Sequence, residues 1–162
     1  MNNIGQPNKL FRILDNNKLE QLELTNALEK TGLGTGGAVA DLNGDGILEL
    51  LIAHGESAPE PLSLFSANVK DDFQYLRIEP RNSYDAPARG ATVTLKTNFR
   101  THAKTIDAGS GYLCQMEPVA HFGIRKNEEI EHIQINWTDG QKSKYKIEKL
   151  NHQYVFNQGK TN

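Results

Sequence analysis

The 162-residue chain is short of cysteine, and its single Cys114 excludes an internal disulfide or a zinc site built from several thiolates. It also lacks an excess of either charge. Eighteen Lys and Arg against 20 Asp and Glu leave a net charge of −2, with no basic block, so a nucleic-acid partner has no electrostatic footprint. No apolar run is long enough to span a bilayer. The mean hydropathy of −0.59 fits a soluble protein with a modest core. The opening MNNIGQPNKLF has no basic stretch followed by an apolar one, so no signal peptide is expected. The five histidines show no metal-ligand spacing. His121 reads as a partly buried, hydrogen-bonded side chain, and Cys114 as a small buried hydrophobe.

What is present is β pattern. LFRIL (10–14), the turn residues DNN (15–17) and LEQLEL (19–24) predict a hairpin. TNALEKTGL (25–33) predicts a turn or two of helix between an N-cap at Thr25 and a stop at Gly32. Strands follow at 36–42, 47–53, 62–67, 73–79, 91–97, 100–106, 120–124, 130–137, 144–150 and 152–156. Ile133, Ile135 and Trp137 alternate with His132, Gln134 and Asn136, and Tyr145 and Ile147 alternate with Lys144, Lys146 and Glu148. Such alternation marks half-buried antiparallel strands, and Asp139-Gly140 sits where a tight hairpin turn belongs. A composition break at NVKDD (68–72) divides the chain into 1–70 and 72–157.

The segment DLNGDGILEL (41–50) carries more acid than a turn requires. Asp41, Asn43 and Asp45 occupy alternate positions, the carbonyl of Ile47 falls at the seventh and Glu49 at the ninth. Oxygens so spaced can encircle a hard cation, and calcium accepts six to eight of them with tolerant geometry. Magnesium, which demands a strict octahedron, suits the set less well. The twelfth position is Ile52 and the flanks are strands, so the loop is not an EF-hand. The competing reading is a solvated polar turn without a metal.

Other motifs carry less. Gly32, Gly34 and Gly37 satisfy G-x-G-x-x-G, but a strand rather than a helix follows them, against a dinucleotide site. Ser110 in AGSGY is not a nucleophile elbow. Asn136-Trp137-Thr138 forms an N-x-T triplet, making Asn136 a weak candidate for glycosylation.

GTGGAVADLNGDGILELLIAHG (34–55) resembles the FG-GAP or VCBS calcium-loop repeat of β-propeller blades, with Asn43 and Glu49 departing from its D-x-D-x-D-G-x-x-D pattern. YDAPARGATVTLKT (84–97), IDAGSGYLCQMEPVAHFGI (106–124) and IQINWTDGQ (133–141) resemble the ASPIC/UnbV domain of the cartilage acidic protein family; Thr138 stands where the family usually has proline. The resemblance implies an all-β chain: incomplete propeller blades with a calcium loop over 1–70, then an antiparallel β-sandwich over 72–157. One or two blades cannot close a ring. The chain therefore reads as the C-terminal part of a longer protein, with further blades expected before Met1. The resemblance further implies a calcium-binding, non-catalytic interaction module outside the cell or on its surface, taking a protein or glycan ligand. An accessory or enzymatic part in a biosynthetic pathway is the alternative. No nucleophile–base pair in the sequence favours it.

Overall fold

The computed structural model describes residues 5–14, 17–30, 34–55, 59–68, 74–107, 109, 112 and 114–160. Asp15 and Asn16 of the first turn, Gly32, Ser110 and residues 69–72 of the composition break lie outside the described residues. The fold is all-β, and among the described residues the only helix is a single 3-10 turn at Asn26–Leu28. Among the described residues no helix is long and apolar enough to cross a membrane.

The chain forms two compact units. The first comprises residues 1–42, 48–67 and 109–115. In it β1 (Leu10–Ile13) and β2 (Leu19–Leu22) make the expected antiparallel hairpin. Strands β3 (Gly34–Ala40), β4 (Glu49–His54) and β5 (Ser63–Phe65) form an antiparallel sheet in that order. Thr25 occupies the N-cap of the helical turn without capping it by its side chain, and the turn ends at Glu29 in the left-handed region (φ 41°). Among the described residues of 25–33 this is the one helical turn, the lower end of the turn or two expected. A nine-residue segment is below the length at which a helix is stable without an apolar face to bury.

The second unit comprises residues 43–47, 68–108 and 116–162. Its first sheet runs β11 (Lys142–Tyr145), β10 (Ile130–Asn136), β7 (Thr92–Thr97), β8 (Thr101–Thr105), all antiparallel. Its second runs β12 (His152–Asn157), β6 (Gln74–Arg81), β9 (Ala120–Ile124). The alternation of β6 sends Leu76, Ile78 and Pro80 inward, all with almost no exposure. Leu76 and Ile78 meet Val93 and Leu95 of β7, Phe122 and Ile124 of β9, Ile133 and Ile135 of β10, and Trp137 in one buried cluster. Tyr145 of one sheet stacks on Phe156 of the other with ring centroids 3.8 Å apart. The sequence alternation at 133, 135 and 137 thus reads the core face correctly.

Three details depart from expectation. The β6–β12 pair is parallel, so the second sheet is mixed. Asn151, at φ 53°, sets this pair: its N–H donates to the Tyr75 carbonyl while its Oδ1 accepts the Tyr75 N–H. Strand β11 ends at Tyr145 rather than 150, although Ile147 and Leu150 still pack against the core. The connection around Asp139-Gly140 is a five-residue loop (137–141) closed by the Trp137 N–H on the Gln141 carbonyl, with Gly140 at φ 87°.

Candidate functional site

The acidic loop joins β3 to β4, whose last ladder pair is Ala40 with Glu49. Alternating Asx side chains shape it. The Asn43 Oδ1 accepts the Asp45 N–H (3.0 Å), and the Asp45 Oδ1 accepts the Ile47 N–H (2.8 Å). Each bond closes a turn two residues long, so the backbone curls. Gly44 (φ 78°) and Gly46 (φ 86°) take the left-handed conformations that the curl requires. Asn43 and Asp45 are exposed, and Asp41 is half-buried.

Glu49 behaves differently from the other acids. It is 4% exposed, and its Oε2 accepts the Leu42 N–H (2.9 Å) while its Oε1 faces the Ser66 hydroxyl (3.4 Å). Its evident work is to clasp the two ends of the loop. The carboxylate retains lone pairs beyond these two bonds.

Within the second unit, the Tyr75 hydroxyl donates to the Gly44 carbonyl (3.2 Å), and the Tyr75 ring lies against Gly46. A Cβ at Gly46 would collide with ring carbons Cγ, Cδ1 and Cε1. Tyr75 also stacks on His121, with centroids 6.0 Å apart and the rings within 8° of parallel. His121 is 9% exposed, in line with the partly buried reading.

The structure therefore links Asn43, Asp45 and Ile47 in one hydrogen-bonded curl and gives Glu49 a separate clasp. Among the described residues no three His, Cys, Asp or Glu side chains converge as a metal cluster. The donor set is nonetheless all oxygen, which is the chemistry a hard cation such as calcium takes. The Asn43 Nδ2 donates to the Asp45 Oδ2 (2.9 Å), and ligation through that oxygen would replace this bond.

Several polar constellations were not legible in the sequence. In the first unit the His54 Nε2 lies 3.1 Å from the Glu29 Oε2 and its Nδ1 lies 2.7 Å from the Pro61 carbonyl. Asn8 donates to the same Glu29 oxygen (2.9 Å). The hydrogen bond to Glu29 foremost raises the His54 pKa above its ordinary value. Burial pushes the Glu29 carboxyl up, but hydrogen bonds from Ser63, His54 and Asn8 outweigh it and hold the pKa below the ordinary one. In the second unit Arg77 grips Glu117 with two bonds (3.0 and 2.6 Å) and donates to Gln153 (2.9 Å). Glu128, with a fully buried side chain, accepts from Thr97, from Arg100 and from the Arg125 N–H. Side-chain partners 21 to 76 residues apart leave no local signature.

The remaining sequence candidates fall elsewhere. Gly34 and Gly37 lie inside β3, and the connection after them leads to a strand. Cys114 is half-exposed rather than buried; its Sγ and the Tyr112 carbonyl lie where a Cβ at Gly36 would be. Asn136 ends β10 half-buried, with its Oδ1 accepting the Gln134 amide (2.9 Å).

Residues 81–162 match the family model for ASPIC and UnbV. Cartilage acidic protein 1 of Homo sapiens is 46% identical over 138 residues, covering 82% of this chain and 21% of that protein. The Mus musculus protein of the same name gives the same figures. That of Xenopus tropicalis is 48% identical over 123 residues, covering 75% of this chain and 19% of its own length. The chain thus spans about a fifth of these relatives, whose name is that of a cartilage protein and not of an enzyme. With half its length, residues 81–162, in the family model, the chain belongs to the ASPIC and UnbV family.

Proposed function

We propose that residues 41–49 hold one calcium ion and that the chain serves as a non-catalytic interaction module outside the cell or on its surface, with a protein or glycan as partner. The observation that carries the reading is the curl of the loop. Asx bonds at Asn43 and Asp45, with glycines at φ 78° and 86°, keep oxygen-bearing side chains on alternate positions of one tight coil. Asp41, Asn43, Asp45, the Ile47 carbonyl and Glu49 are the donors. A bound calcium would supply the positive charge that offsets three carboxylates within nine residues.

The first unit supports a propeller-blade reading of the same region. Among the described residues Ile52 is its one fully buried hydrophobic side chain, whereas Ile13, Leu19, Leu42, Leu62 and Leu64 are all more than half exposed. Blades bury such faces against neighbouring blades. The cartilage setting named for the relatives supports an extracellular location. Glycosylation at Asn136 belongs to the same proposal; the glycan would join Nδ2 and leave in place the Oδ1 that accepts from Gln134.

Calorimetry at millimolar calcium tests the reading, because extracellular calcium modules have dissociation constants of roughly 10⁻⁴–10⁻³ M. The wild type should give a binding heat and Asp45→Ala none, with the fluorescence of the sole Trp137 unchanged between them. Equal heats from both proteins would reduce the loop to a solvated turn.

A further inference from the structure

The Asn43-Gly44 step of this loop has a chemistry of its own, independent of any cation. We infer that Asn43 is a spontaneous deamidation site, converting through a cyclic imide to aspartate and isoaspartate. The ring closes when the Gly44 backbone nitrogen attacks the Asn43 side-chain carbonyl carbon Cγ. A Gly44 N–Cγ bond forms, the Cγ–Nδ2 bond breaks, the Gly44 amide proton passes to solvent base, and Nδ2 leaves as ammonia after gaining a proton. Water then opens the imide. Attack at Cγ breaks the new bond and gives aspartate in a normal backbone. Attack at the Asn43 main-chain carbonyl breaks the original peptide bond and leaves the chain running through the side chain. No oxidant or reductant enters either step.

Four observations favour this position. Asn43 and Gly44 are both exposed, so water reaches both steps. Gly44 has no Cβ to block the approach, and open space surrounds the place where one would be. The Asn43-Gly44 step lies in the loop between β3 and β4, outside any strand ladder that would hold its backbone extended. Finally, the Asp45 N–H donates to the Asn43 Oδ1, the oxygen on which negative charge develops as Gly44 attacks. A donor aimed at developing charge lowers the barrier.

Comparable positions lack this combination. Asn43-Gly44 is the one Asn-Gly pair in the sequence. Asn82 has N–H donors on its Oδ1 as well, from Tyr84 and Ala86, but the residue after it is Ser83, whose side chain hinders the approach of the backbone nitrogen. Asn136 is held extended in the β10 ladder before a buried Trp137. Asp45-Gly46 would form the same imide, but Gly46 is buried against the Tyr75 ring, which resists the backbone rearrangement.

Deamidation changes the loop in one of two ways. The aspartyl product adds a fourth carboxylate to Asp41, Asp45 and Glu49. The isoaspartyl product inserts a methylene into the backbone between positions 43 and 44 and disrupts the alternate spacing. Either way the donor set changes with the age of the molecule.

The test is peptide mapping by mass spectrometry of the full chain held with a calcium chelator at physiological temperature and mildly alkaline pH. The expected result is a gain of one dalton on the peptide containing Asn43, with isoaspartate detected there by isoaspartyl methyltransferase labelling. Conversion at Asn43 should exceed that at Asn82 at least tenfold. Gly44→Ala, checked for folding by Trp137 fluorescence, should slow it by a similar factor. No mass gain at Asn43, or conversion no faster than at Asn82, overturns the inference whatever the variant does.

Discussion

Replacing Trp137 with alanine tests the core of the second unit most directly. The indole is 4% exposed and belongs to the cluster containing Ile133, Ile135, Val93 and Leu95. An aromatic of this size buries roughly 150–250 Å², which at about 25 cal/mol/Å² corresponds to some 4–6 kcal/mol. That figure is an upper bound, since the unfolded chain already hides part of its apolar surface and alanine keeps part of the contact. The expected loss is about 3–5 kcal/mol. The Nε1–H bond to the Ser143 hydroxyl (2.9 Å) adds little to it, because Ser143 is half-exposed and water can replace the indole. For a domain of this size each kcal/mol moves the melting point by about 4–8 °C, so a fall of at least about 12 °C is expected. Because the variant loses the only tryptophan, the melt should be followed by far-ultraviolet circular dichroism. A melting point within two or three degrees of wild type would place Trp137 outside the core and refute the packing argument.

Other variants probe the rest of the molecule. Gly46→Ala places a Cβ into the Tyr75 ring at a φ of 86°, and should cost about 1–3 kcal/mol in denaturant unfolding; an unchanged midpoint would mean that the ring yields freely. Glu128→Ala leaves Arg100 and Thr97 without their shared acceptor, and about 3 kcal/mol is expected, the lower end of the range for buried pairs because Arg100 is partly exposed. The His54–Glu29 pair predicts a pH optimum for the first unit. The raised His54 pKa contributes stability that is full below its ordinary value of 6.5 and lost as pH rises through the folded value. The lowered Glu29 pKa contributes stability that is full above its ordinary value of 4.5 and lost as pH falls through the folded value. Amide exchange protection of β4 should therefore peak between those two values, and His54→Gln should flatten the alkaline side. An isolated 1–70 peptide should show poorly dispersed amide resonances, whereas sharp dispersed ones in a monomer would show that it has a core of its own.

The strands of the second unit were legible because one face of each sheet is wet. In β10 a period of two separates Ile133 and Ile135 from His132 and Gln134, and burial follows that period. Strand β9 was legible to the residue as AHFGI. The curl of the acidic loop was equally open to reading, since Asx residues bond to the backbone two positions on. What stayed hidden is long-range. Nothing in HQYVF says that its partner is β6, or that the pair runs parallel; Asn151 and Tyr75 decide that across 76 residues. The ending of β11 was misread because Ile147 continues the apolar alternation. It packs on the core without pairing to a strand. The clasp role of Glu49 needed Leu42 and Ser66 in space, although the departure from aspartate at that position was a signal.

The parallel pairing of β6 with β12 has a consequence for synthesis. The first strand of the second unit is the middle strand of its sheet and receives its last neighbour from residues 152–157. On the ribosome, the β6 edge must wait for almost the whole unit to be translated. Contacts this distant in sequence are slow to form. A chain cut off before His152 would leave Leu76 and Ile78 on an open edge, a template for pairing with other chains. Quality control should therefore recognise the loss of β12 as a folding failure, even with the other strands intact.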